Sequence, residues 1–478
     1  MPDPFLDATA QAELVRRGEV SPRELVDEAV HRIEELNPSL NAVVIPLFDK
    51  AYNEADKVGE GPFAGVPYLL KDITMVTEGD LHAASIAGVK AAGYRSDHDS
   101  FFVQRMREAG FVLVGKTNTP ELGIQPTTEP DAWGPSANPW DLSRSSGASS
   151  GGSAAAVAAG MVSIAHGNDG GGSIRMPASQ CGVIGIKPTR GRISQGPTVR
   201  SDNVSGMPHE GLLAHSVRDI AGVLDVVSGR RPGDAYAAPP PLRPFLAEVG
   251  ADPGRLRIGV LTHEPSGTVE IDPENVTAAR KVADLLTNLG HHVSAAYPDA
   301  LRKGPWPEEF MPVVAVSIMK ELEFYSAAIG RELTEADVEA STWEVARMGQ
   351  QVTASMYSDG VDALRQRATE IETWWEDDGW DLLLTPTTPV PPPELGLLKA
   401  TVDDPLTMDL DVLTLLTVPY NITGQPAISL PVHVNADGLP IGAHLVAAYG
   451  REDVLLRVSA QIEAGLPWAD KHPPVRPR

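Results

Sequence analysis

The chain has 478 residues, 42% of them apolar, enough for a sizeable core and compatible with one large α/β domain. Its 39 Lys and Arg against 64 Asp and Glu give a net charge of -25, which argues against nucleic acid and an anionic membrane surface as partners. Cys181 is the only cysteine, so an intramolecular disulfide and a cysteine-rich metal site are both excluded.

The first residues, MPDPFLDATAQAELVRRGEV, lack a basic start followed by an apolar stretch, and no apolar run approaches the roughly 18 residues of a membrane span. The expected location is cytoplasmic. Residues 8–58 read mainly as helical. Ser21-Pro22-Arg23-Glu24 is a capping box with Pro at the first helical position, and Asn37-Pro38 should end that helix. Ala42 to Leu47 fits a short strand. Gly65 to Asp72 reads as a buried strand with Lys71 at its end, Ser100 to Ala109 as a helix, and Phe111 to Val114 as a strand. Trp133 to Asp141 has the composition of a polar loop.

The stretch from Arg144 to Arg192 is unlike the rest. A Ser/Gly-rich turn opens an Ala-rich helix over about Gly152 to Met161, and a second turn, Asn168 to Ser173, carries three successive glycines. Beyond Arg192 the chain is loop-like to about Gly211. A helix follows from Ser216 to Val227, then a Pro/Gly-rich connection over Gly229 to Pro244. A strand–helix–strand unit over 256–292 leaves open whether a new layer or an inserted lobe begins there. Residues 306–378 read as mostly helical, Trp380 to Pro386 as a buried strand, and 388–408 as irregular. Two more strands, Gln425 to Val434 and Ile441 to Ala448, precede a final helix over Glu452 to Gly465. The tail KHPPVRPR should fray. This mixture fits a large mixed β-sheet covered by helices on both faces.

Two short patterns compete for a function. Gly110-x-x-x-x-Gly115-Lys116-Thr117 matches a phosphate-binding loop, but its strand-like FVLV lies where the phosphate-cradling turn should be. Gly147-Ala148-Ser149-Ser150-Gly151 matches a nucleophile elbow, but a polar loop precedes it instead of an apolar strand. His444 is one of 12 histidines, so its availability to a Ser-His-Asp site is weak evidence.

Lys71, Ser149 and Ser173 suit a different chemistry. A serine hydroxyl needs a base to become a nucleophile, and a lysine can be that base if burial keeps it neutral. Gly170, Gly171, Gly172 and Ser173 can turn several N–H groups toward one developing oxyanion. The residues alone leave alternatives open: a buried pair of Lys71 with Asp72 or another acid, and a purely structural glycine turn.

The order of several motifs resembles the amidase signature family. They are Gly65-Val66-Pro67 with Lys71-Asp72, Lys116-Thr117-Asn118, Ser149-Ser150-Gly151-Gly152-Ser153, and Asp169-Gly170-Gly171-Gly172-Ser173-Ile174-Arg175-x-Pro177. Cys181-Gly182, Gly185-x-Lys187-Pro188, Asn421-x-x-Gly424-x-Pro426-Ala427 and Gly438-Leu439-Pro440-x-Gly442 complete the series. The resemblance covers nearly the whole chain. It implies one amidase domain over 1–478, with a catalytic core at about 60–230 and a cleft-forming region at about 300–420. It also implies a nucleophile at Ser173, a bridging Ser149 after a cis peptide from Ala148, and a terminal base at Lys71. Gly170, Gly171, Gly172 and Ser173 would form the oxyanion hole, with Asp169 and Arg175 as structural support. Cleft walls are expected partly from 310–325 and 410–425, and His444 in the sheet core or at the pocket edge. No cofactor or metal is implied. The expected substrate is a small amide, and the expected assembly a homodimer. The stretches ATAQAELVRRGEVS, GPFAGVPYLLKD, AHGNDGGGSIRMPAS and AAYGRED narrow the resemblance to members that open small cyclic amides. A broad acylamide or aryl-amide amidase, an amidotransferase subunit and an inactive binding protein are the alternatives.

Overall fold

The computed structural model describes residues 3–198, 203–304, 306–400 and 409–477. Thirteen strands run in chain order among them: β1 (Val43–Pro46), β2 (Pro67–Lys71), β3 (Val112–Thr117), β4 (Ala137–Asn138), β5 (Asp141–Ser145), β6 (Ile164–Asp169), β7 (Ile184–Lys187), β8 (His209–Ala214), β9 (Arg257–Val260), β10 (His292–Ala295), β11 (Leu382–Pro386), β12 (Ala427–Val434) and β13 (Pro440–Ala447). Eleven of them form one mixed sheet in the order β1-β3-β2-β6-β8-β7-β12-β13-β11-β9-β10, while β4 and β5 pair separately. Strands β9 and β10 add to the edge of this sheet, so the unit at 256–295 extends it and is not an inserted lobe.

Side chains alternate between the two faces of each strand, and both faces are covered. On one, Tyr68, Leu70, Ile164, Leu212 and Ala214 pack with helices Phe101–Glu108, Val217–Val227 and Glu452–Gly465. On the other, Leu69, Val114, Ala165 and Leu213 meet helices Pro22–Leu40, Gly151–Ala158 and Arg175–Cys181. The Ala-rich helix is buried along its whole length. A Cβ on Gly152 would stand 2.6 Å from the amide nitrogen of Asn118 and 2.7 Å from the carbonyl oxygen of Ala42, so a residue without a side chain is needed where helix and strand connections meet.

Several local expectations need correction. Helix Pro22–Leu40 runs through Pro38. The carbonyl that Pro38 deprives of a donor belongs to exposed Glu34, where water can replace it, and Asn41 closes the helix in a left-handed conformation. The supposed loop at 133–141 contains β4 and the start of β5, and β8 begins at His209, before Gly211. The tail is anchored: His472 stacks on Phe5 at 3.8 Å between ring centroids, and the N–H of Val475 donates to the carbonyl of Pro139. Residues 401–408 of the expected irregular stretch lie outside the described residues. Gly115, Lys116 and Thr117 belong to β3 itself, and buried Lys116 donates to the carbonyl of Leu81, so the phosphate-loop reading fails.

Strands β3, β2 and β6 are mutually parallel neighbours. Their carboxyl ends, Thr117, Lys71 and Asp169, therefore share one edge, where ligands of α/β sheets commonly bind. Strand β8 is antiparallel to β6, which brings its first residues, His209 and Glu210, to the same edge. At Gly211 an added methyl would overlap the carbonyl of Ile186 and lie 2.8 Å from Ile174. Gly211→Ala should cost about 1–3 kcal/mol of stability through overpacking, measured as a lower urea midpoint. Gly59→Ala, with no heavy atom within 4 Å of the added carbon, should leave that midpoint unchanged.

Candidate active site

Lys71 is fully buried at the end of β2. Its Nζ lies 2.6 Å from Oγ of Ser149, 2.6 Å from Oδ1 of Asn168 and 3.5 Å from the Asn168 carbonyl oxygen. Burial pushes the pKa of this amine down to about 7, while the negative charges of Glu210 and Asp169 pull the other way. No carboxylate accepts a hydrogen bond from Nζ among the described residues, so the pair with Asp72 is not formed. Asp72 instead accepts from the Ala83 N–H and faces His82, with Oδ1 3.2 Å from its Nδ1.

Ser149 is buried, and the Ala148–Ser149 peptide is cis, as the family resemblance implies. Gly123 packs against it: a Cβ there would come 3.2 Å from Ser149 Oγ. The next residue ties this turn to the second glycine-rich one. Ser150 N–H donates to the carbonyl of Ser173 at 3.0 Å, and Ser150 Oγ donates to the carbonyl of Asn168 at 3.2 Å. Ser173 is half-buried, whereas Ser149 and Lys71 are closed off from solvent. The three expected residues thus occupy one strand-end cluster with its outer member at the solvent side.

Asp169 and Arg175 hold the shape of the glycine turn. The Asp169 carboxylate accepts from the N–H of Gly172 at 2.7 Å and of Ile174 at 3.1 Å, and from Arg175 Nε and Nη2, each at 2.9 Å. Burial alone would raise its pKa, but the Arg175 charge and these hydrogen bonds hold it far below the usual carboxylate range. Asn421 completes the hub: its Nδ2 donates to the Asp169 carbonyl and carboxylate, and its Oδ1 accepts from Arg175 Nη2 at 2.7 Å. Arg175 Nη1 also donates to the carbonyl of Thr417. Gly172 has φ 137°, a backbone conformation that favours glycine, and an added Cβ would collide with Thr417.

This arrangement corrects one expected oxyanion donor. The N–H of Gly172 is already committed to Asp169. The N–H groups of Gly170, Gly171 and Ser173 have no hydrogen-bond partner among the described residues. Trp306, Thr414 and Val418 approach Gly171, each within 3.8 Å of where its Cβ would be, and Pro208 approaches Gly170. The segment at 410–425 therefore does wall the turn. Helix Met311–Ile329 contributes Glu321 to an adjoining cavity of ≈ 300 Å³, whose lining includes Thr74, Gln195, Pro208, Glu210 and Tyr236.

His444 lies in β13 at the sheet centre, with Nε2 3.2 Å from Arg175 Nη1 and Nδ1 3.2 Å from Thr385 Oγ1. Burial, reinforced by the Arg175 charge, holds its pKa well below the ordinary histidine value. Its two ring nitrogens meet Arg175 and Thr385 and no serine hydroxyl, so His444 is not the base of a Ser-His-Asp site. Asn168, Asn421 and Glu210 are the polar neighbours that the sequence left without roles. Asn421 begins one of the family motifs and Asn168 adjoins Asp169, whereas nothing in the sequence singled out Glu210.

A model of the amidase family matches residues 24–456. The chain is 54% identical to 6-aminohexanoate-cyclic-dimer hydrolase of Paenarthrobacter ureafaciens, covering 98% of this chain and 97% of that protein. The solved structure of a 6-aminohexanoate cyclic dimer hydrolase complexed with substrate superposes with a TM-score of 0.97 at 53% identity, over 99% of this chain and 100% of that one. A bacterial aryl acylamidase of the amidase signature enzymes superposes with a TM-score of 0.87 at 26% identity, over 98% and 97%.

The buried amine leaves a signature in stability. With its folded pKa lowered from 10.5 to about 7, the unfolded chain binds more protons between these values, so this group's cost to folding is full below pH 7 and fades as the pH rises toward 10.5. Lys71→Met removes that cost. Its Tm relative to the parent protein should be higher at pH 6 than at pH 10, as checked by thermal melts across that range.

Proposed function

The chain belongs to the amidase signature family, and we propose that it is a serine amidase that opens cyclic 6-aminohexanoate dimer to the linear dimer. The observation that carries the chemistry is the 2.6 Å contact between a buried amine, Lys71, and the buried hydroxyl of Ser149, beside the half-buried Ser173. The substrate reading is supported by 54% identity over nearly the full length to a hydrolase named for that cyclic dimer.

In the neutral amine two protons point to Asn168 and the lone pair accepts the Ser149 hydroxyl proton. Ser149 in turn takes the proton of Ser173 as the Ser173 oxygen bonds to the amide carbon. The carbonyl electron pair moves onto oxygen, where the N–H groups of Gly170, Gly171 and Ser173 stabilise it. Collapse of this intermediate breaks the C–N bond, and the relay returns the proton to the leaving nitrogen. In a cyclic diamide that nitrogen stays attached through the chain, so the open acyl-enzyme carries its own leaving group until water replaces it. Water then loses a proton through the same relay and releases Ser173. Asp169, Arg175 and Asn421 keep the three donors aimed and do not react.

A broad acylamide or aryl-amide amidase is the second reading, favoured by the superposition on the aryl acylamidase. The finer expectations of one domain, a homodimer and a cytoplasmic location accompany this proposal. Among the described residues no helix is long and apolar enough to cross a membrane.

Mass spectrometry in H₂¹⁸O should show cyclic 6-aminohexanoate dimer gaining one labelled water, with the linear dimer unchanged. Faster release of an aryl amine or ammonia from a panel of simple amides would replace the substrate and keep the chemistry. Ser173→Ala should lower turnover at least about 10³-fold. A variant that retains parental activity would overturn the nucleophile assignment. The acid limb of kcat/KM should lie near pH 7, where Lys71 loses its proton.

A further inference from the structure

Glu210 belongs to none of the roles above, yet it is buried beside them. It is the second residue of β8, directly across from Asn168 of β6, the residue whose Oδ1 lies 2.6 Å from Lys71 Nζ. Its Oε2 lies 2.8 Å from His166 Nε2, and its Oε1 accepts from Gln195 Nε2 at 3.1 Å. Thr74 Oγ1 is 3.2 Å from Oε2 but has the Ile73 carbonyl nearer, at 2.7 Å, for its single proton.

The hydrogen bonds define the charges. Among the described residues the buried His166 Nδ1 has no hydrogen-bond partner. A proton there would be stranded, so His166 is the neutral tautomer that donates from Nε2. Glu210 is therefore an acceptor-only carboxylate held by neutral groups. Asp169, the other acid whose charge reaches Lys71, is matched by the guanidinium of Arg175. Asp72 faces His82 and Lys116. His209 precedes Glu210 on its own strand, while Arg190, Asp234 and Glu321 line the adjoining cavity. Arg190 spends its guanidinium on the carbonyls of Gly206, Asn421 and Ile422.

We propose that Glu210 is a positioning residue for the reaction: an unneutralised carboxylate, fixed by His166 and Gln195, that stabilises the protonated state of Lys71 during acyl transfer. It acts through Lys71 and touches neither substrate nor nucleophile. When the proton of Ser173 arrives at Lys71 through Ser149, a positive charge appears in a buried site. Asn168 contributes only dipoles there, and Glu210 contributes the balancing negative charge. Without it the amine would be a weaker base, and the proton would be held less well until the leaving nitrogen takes it back.

This inference rests on the base assignment under Proposed function, and one set of variants separates the two. The readout is the pH dependence of Ser173 phosphonylation by a fluorophosphonate, which needs no amide substrate. Lys71→Met and Ser173→Ala must abolish labelling; if either labels normally, the base–nucleophile reading itself falls. With that control passed, Glu210→Gln should move the acid limb of the labelling rate to lower pH by roughly half to one unit, because an opposite charge has been removed from Lys71. The plateau rate should fall several-fold, and Glu210→Asp should restore most of the limb. A folded Glu210→Gln protein whose limb stays in place, or moves up, overturns the proposal. If Glu210→Gln does not fold, exposed Gln195 decides. Gln195→Lys sets a cation beside Oε1 and should move the limb down, and an unmoved limb in that variant is equally contradictory.

Discussion

A lysine amine enclosed with no carboxylate in hydrogen-bond contact among the described residues is the constraint around which the site is arranged. Lys71 ends a parallel strand, so its side chain projects from the edge of the sheet into a region closed by the Ala-rich helix and the loop at Gly123. An ammonium there would lose its hydration and touch only dipoles, with the Glu210 and Asp169 charges acting on it without direct contact. The protein tolerates this because the neutral amine can satisfy itself with Asn168 and Ser149. The same burial that weakens the fold near neutral pH would supply the proposed base at that pH, a trade of stability for chemistry that catalytic sites often show.

The second requirement is a turn that holds amide donors ready before substrate arrives. Asp169 achieves it by spending its carboxylate on the backbone of Gly172 and Ile174 and on Arg175. Arg175 and Asn421 then connect the turn to a segment some 250 residues later. A buried ion pair of this kind is strongly destabilising to break, since either partner alone would be an uncompensated charge. Its value here is directional: one amide of the turn is consumed by the scaffold so that three others keep a fixed aim. Orientation of donors before reaction avoids reorganisation when charge develops on the carbonyl oxygen. The half-exposed position of Ser173, outside the two buried members of the row, would let substrate reach the proposed nucleophile while the proposed base stays dry.

Much of this was legible in the chain because it is local. The capping box at Ser21, the apolar run that ends at Lys71 and the helical spacing from Val217 to Val227 each encode an element within a few residues. The family motifs, and not the spacing of the residues, implied that Lys71, Ser149 and Ser173 share one site. What local pattern did not reveal was set at a distance. Pro38 stays within its helix because the affected carbonyl is exposed. Gly172 appeared to be an oxyanion donor until the Asp169 side chain folded back on it. Asn168 and Glu210 become neighbours of Lys71 only through strand pairing, and no spacing along the chain announces that two strands separated by some 40 residues will align those positions. The edge strands β9 and β10 are similar: their sequence identifies strands, but only the pairing with β11 shows that they extend the same sheet.

The account stands on the ionisation of one side chain, and that can be observed directly. Nitrogen-15 NMR of the lysine Nζ groups, with Lys71→Met to assign the resonance, would follow the amine through a pH titration of the folded protein. Lys71 should titrate with a midpoint near 7, well below the ordinary lysine value. A Lys71 resonance that remains that of an ammonium up to pH 10 would contradict it, because a charged lysine has no lone pair with which to begin the relay.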